Sequence, residues 1–100
     1  LTAGRDRIAG ALDRLARHVP AFERMAILDH AMDSPGLSKA SPEAAAWLSM
    51  VATIRHLHTD YDGLLADFYD PDAARWAVAP AIDDILAAWG CRRRVSDDQR

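Results

Sequence analysis

Two short stretches fix most of what this chain can fold into: Ser41-Pro42-Glu43 and Asp70-Pro71-Asp72. Each is a helix start written in three residues. A side-chain oxygen accepts from free N–H groups of the first turn, a proline with no donor suits the first helical position, and an acid faces the positive end of the helix dipole. Behind the first start, Ala44, Trp47, Leu48, Val51 and Ile54 recur at helical spacing and predict a helix to about Leu57. Behind the second, Ala74, Val78, Ala81, Ile82, Ile85, Leu86 and Trp89 form a longer stripe, with Gly90 placed to end it. Pro80 lies inside that stripe. It removes a donor and crowds the preceding turn, so the last helix is expected to be kinked or restarted there.

Upstream, Ile8, Leu12, Leu15 and Val19 predict a helix over about Gly4 to His18, with Asp13 and Arg17 four apart as an outer-face pair. Pro20 ends it and opens a second helix to about Met32, whose broad set of Phe22, Met25, Ile27, Leu28 and Met32 implies a buried element. The run DSPGLSKASP is rich in turn residues and reads as a loop. It holds a glycine and Lys39 but lacks the spacing of a phosphate-cradling loop. Thr59 is the next expected cap, with Asp62 closing a variant capping box. A short helix then carries Tyr61, Leu64, Leu65 and Phe68 on one side. About a fifth of the residues are alanine, the best helix former, and no strand-like alternation occurs. The expectation is an all-α chain: a compact bundle of about five helices in a single domain over 1–90, followed by a polar tail over 91–100 that frays.

A net charge of −3 argues against a general nucleic-acid binder, which needs a basic face to release counterions. It leaves room for a local basic patch, for which Arg7, Arg14, Arg17 and Arg92 to Arg94 are the candidates. No apolar run reaches the roughly 20 residues that cross a bilayer, so no membrane partner is expected. The single cysteine, Cys91, points to a reducing, cytoplasmic setting. The three arginines after it would lower its pKa and make the thiol reactive, but no base stands beside it in the sequence.

The densest chemistry is RHLHTDYDGLL, Arg55 to Leu65. On a regular helix His58 continues the stripe of Val51 and Ile54, whereas His56 lies about 200° around the axis. Thr59 should break the helix between His56 and Asp60. The bland account makes Thr59 a cap, puts Asp60 and Asp62 in a first turn, and sets Arg55 and His56 at the carbonyl end of the preceding helix. The sharper account gathers His30, His56, His58, Asp60 and Asp62 as imidazole and carboxylate ligands for zinc, manganese or iron. A helical chain with such residues resembles the metal-dependent phosphohydrolases built on a His-Asp doublet. Here that doublet is missing, and Asp29-His30 has the reverse order. Among the tryptophans, Trp47 and Trp89 fall on core stripes, and Trp76 falls off its stripe as a candidate surface anchor.

The signature from Arg55 to Leu65, the Ala74-Arg75 pair, Asp84-Ile85-Leu86 with Trp89, and VPAFERMAILDHAM upstream together resemble DUF2293, an uncharacterised family of bacterial and fungal domains. The resemblance implies membership but carries over no activity and no catalytic residue. The leading expectation is a non-enzymatic helical binding or scaffold domain with a protein partner and no cofactor. Its candidate surface is Arg55, His56, His58, Asp60, Asp62 and Arg75, with aspartates and arginines sharing a charged network. The alternatives are a small divalent-metal hydrolase using the His/Asp cluster and a nucleic-acid-binding accessory domain.

Overall fold

The computed structural model describes residues 2–99. Among them are six helices and no strand: α1 Thr2–Leu15, α2 Ala21–Asp33, α3 Pro35–Ser38, α4 Pro42–His58, α5 Tyr61–Ala66 and α6 Pro71–Ala88. A terminal 3-10 turn, Val95–Gln99, follows. The two three-residue starts behave as written. Ser41 Oγ accepts from Ala44 N at 3.1 Å, and Asp70 Oδ2 accepts from Asp72 N at 3.1 Å and Ala73 N at 3.2 Å. Each satisfies donors that the first turn cannot pair internally.

Helix α4 is the spine and packs against all five other helices. Leu12, Ile27, Met50, Ile54, Ile82 and Leu86 fill the centre. Ala31, Ala45, Ala46 and Ala74 are fully buried between them, so the alanine content serves close helix approach as well as propensity.

The structure corrects several details. Pro80 does not restart the last helix, because α6 runs through it without a break. Pro80 and Trp76, whose carbonyl the proline leaves free, both face solvent, where water can satisfy that group, while Val78, Ala79, Ile82 and Leu86 hold the helix to the core. Helix α2 buries only Ile27, Leu28 and Ala31; Phe22 is 78% exposed and Met25 also faces solvent. Phe68 lies outside α5 with φ +67°, fully out of the apolar cluster. The expected loop before α4 contains the single turn of α3.

Helix α1 stops at Leu15, three residues before its expected end. Pro20 disfavours helical backbone just ahead of it, and His18 N finds an acceptor in Trp89 O at 2.9 Å. That junction needs Gly90, whose φ is +77° and whose added Cβ would lie 2.9 Å from His18 Cδ2. Gly90→Ala is expected to cost about 1–2 kcal/mol from the left-handed backbone alone, read as a lowered urea midpoint at unchanged slope.

The expected fraying of residues 91–100 also fails over the described part. Cys91 is buried, Arg93 lies over the Trp47 ring at 4.1 Å, and Asp83 accepts from Val95 N at 2.7 Å and Ser96 Oγ at 2.6 Å. Arg100 lies outside the described residues.

Candidate functional site

The signature at the α4–α5 corner is a set of tertiary fastenings. The Thr59 hydroxyl donates to Arg55 O and accepts from Tyr61 N at 3.2 Å, closing one helix and opening the next. Asp62 does not complete the capping box. It accepts from His56 Nδ1 at 2.8 Å instead. Tyr61 is buried between two neighbours, with the His56 ring edge-on at 5.7 Å and the Arg55 guanidinium 5.4 Å from its centroid. His58 donates to Glu23 Oε1 on α2 at 2.8 Å and meets the Trp89 ring edge-on at 6.1 Å. Asp60 sits over Gly63, where any side chain would collide with its carboxylate.

The five residues weighed as metal ligands are therefore not gathered at one point, although two of them, His56 and Asp62, meet each other. His56 takes Asp62, and His58 takes Glu23. His30 donates to Ser49 Oγ at 3.0 Å, and Ser49 donates to Ile27 O at 2.6 Å. Among the described residues, no group of three or more histidines, cysteines or acids is arranged to hold a metal ion. Glu23 and Ser49 are the partners that sequence reading missed, since their roles come from helices far along the chain.

The expected aspartate–arginine network also takes another form. Among the described residues, Arg75 Nη1 reaches only the exposed Asp72, at 3.3 Å within its own helix. Arg55 has no carboxylate among the described residues, and its Nε is buried without a partner there. Burial, with the neighbouring Arg75 charge, lowers its pKa from the usual value. Arg55 and Arg75 share a cleft of about 200 Å³ between α4, α6 and the terminal turn.

A larger cationic assembly lies next to it. Asp13 does not pair with Arg17 along α1. It binds Arg24 of α2 through two hydrogen bonds, at 2.9 and 3.0 Å, and the Arg24 guanidinium holds its carboxyl below the usual range. Arg17 is left without a carboxylate among the described residues. It joins Arg14 of α1 and Arg92 and Arg93 from beyond α6 around one open depression of about 440 Å³. Arg14 has only a loose contact with Glu43 at 3.7 Å, whereas Arg93 is held by Asp98 at 3.1 Å. Arg94 turns inward to the carbonyls of Cys91 and Arg93, and Arg7 does not line the depression. Trp47 and Arg93 line the adjoining hollow with Arg14, and Trp47 also lines the Arg55–Arg75 cleft. The three hollows adjoin through Arg14, Arg93 and Trp47, so cations recur from Arg17 to Arg75, with Glu43 and Asp98 as the carboxylates among their linings.

The Cys91 thiol is not activated. It is 2% exposed, and burial pushes its pKa up despite the contact with the Arg93 backbone and the charges of Arg94 and Arg93. The native thiol is expected to resist iodoacetamide at neutral pH and to react on unfolding in urea; rapid native labelling would contradict this.

A comparison with family models matches residues 11–90 to DUF2293, described as an uncharacterized conserved protein. No curated protein and no solved structure matches this chain. With four-fifths of its length under the family model, the chain belongs to the DUF2293 family.

Proposed function

We propose that this member of the DUF2293 family is a non-catalytic binding domain whose ligand is a nucleic-acid phosphate backbone, held along the arginine face. One observation carries the reading: arginines from opposite ends of the chain, 14 on α1 and 17 just after it, and 92 and 93 beyond α6, surround one open depression. Phosphate contacts by such cations release condensed counterions, which drives association without base-specific chemistry. The net charge of −3 describes the whole chain, but a ligand meets the local field. Asp13, four residues before Arg17, does not offset the arginines there, being committed to Arg24.

The corner residues act as framework in this reading. His56, His58, Thr59 and Asp62 fasten α4 and α5 to each other, to α2 and to α6, and so fix where Arg55 stands relative to Arg75. The single cysteine fits a cytoplasmic setting for such a domain. The test is fluorescence anisotropy with a labelled oligonucleotide. Saturable binding at low salt that weakens as salt rises is expected; no binding at low salt would overturn the proposal.

A further inference from the structure

The cleft between Arg55 and Arg75 differs in kind from the open depression. Its lining includes the apolar Leu48 and Val51 of α4 and Val95 of the terminal turn. Two guanidinium groups converge there. Arg55 is anchored on the buried Tyr61 ring, so its position is set before any ligand arrives, and its Nε donor is buried and unpaired among the described residues. Among the described residues, Arg75 is held only by an exposed contact within its own helix, and it can turn toward a ligand at little cost. Two like charges held together are unfavourable in isolation, and an anion between them offsets their repulsion.

We propose that this cleft binds a phosphate monoester, the terminal phosphate of a nucleic-acid strand whose backbone follows the arginine face. A monoester carries nearly two negative charges at neutral pH and three acceptor oxygens, which matches two guanidinium groups better than the single charge of a backbone phosphate. The cleft adjoins the hollow next to the arginine depression through Trp47, so an end-bound strand can continue along it. Asp98 also lines the cleft and opposes an anion there, although its carboxylate is paired with Arg93 at 3.1 Å. The strand as the source of the phosphate rests on the proposed function above; the chemistry of the cleft does not.

The test compares one single strand with and without a terminal phosphate, alongside inorganic phosphate, following the Arg55 and Arg75 Nε–Hε signals by NMR. The phosphorylated strand is expected to bind about tenfold more tightly than its hydroxyl form, with both signals shifted. Arg75→Gln, an exposed site that leaves the core intact, should erase that preference, as should Arg55→Gln wherever its melt shows a folded protein. Asp98→Asn should strengthen it. If neither strand binds but inorganic phosphate still shifts the Arg55 signal, the cleft proposal stands and the backbone reading falls. If the strands bind equally and the Arg55 signal stays fixed with all three probes, the cleft proposal is overturned.

Discussion

Trp47→Ala is expected to lower stability by about 3–5 kcal/mol, the usual range for removing a large aromatic from a core. Trp47 is only 5% exposed and lies on α4, the helix that touches every other one. The loss would be a large share of the 5–15 kcal/mol that holds a typical domain. For a chain of this length it corresponds to a fall in melting temperature of roughly 15 °C or more. The substitution also takes away the ring beneath Arg93, a contact worth about 0.5–1 kcal/mol at a partly exposed site. Differential scanning calorimetry measures the effect. A drop of only a few degrees would mean that the ring does not fill the space between α4 and the chain beyond α6.

Reversing two charges on the face should leave stability nearly unchanged and weaken binding strongly. Arg17 and Arg92 are exposed and have no carboxylate partner among the described residues, so Arg17→Glu with Arg92→Glu should move the melting free energy by about 0.5 kcal/mol or less. The same double variant should weaken oligonucleotide binding by about a hundredfold, roughly 1.4 kcal/mol for each reversed charge. The pairing of effects matters. A folded protein that no longer binds assigns the loss to the cationic face and separates it from the framework formed by the signature.

The sequence is most informative where the physics is local. Ser41 and Asp70 cap as written because a cap needs only its own first turn. Trp47 and Trp89 are buried as their stripes imply, and Trp76 is exposed as its off-stripe position implies. Reading fails where a residue has two partners to choose from. Asp13 lies four residues from Arg17, but α2 brings Arg24 to it with better geometry. His56 and Asp62 flank the break at Thr59 and look like ligands for a third party, but the turn folds them onto each other.

Burial is the other hidden variable. Three arginines after Cys91 suggest an activated thiol, but the chain after α6 folds back and desolvates it, which reverses the sign of the effect. Phe22 and Met25 match an inward stripe by period, but no other element covers that side of α2. The arginine face is a partial case. Composition singles out its members and also Arg7 and Arg94, but only the fold shows which of them, more than seventy positions apart, share one depression.

The central claim is that Arg14 and Arg17, at and just past the end of α1, and the arginines of the chain beyond α6 act as one phosphate-binding face. The salt dependence of oligonucleotide affinity counts those contacts directly. At about 0.7–0.9 per neutralised phosphate, four contacts give a slope of log affinity against log salt near −3, and Arg17→Gln alone should reduce its size by a little under one. A slope near zero, or one that Arg17→Gln leaves unchanged, would contradict the account.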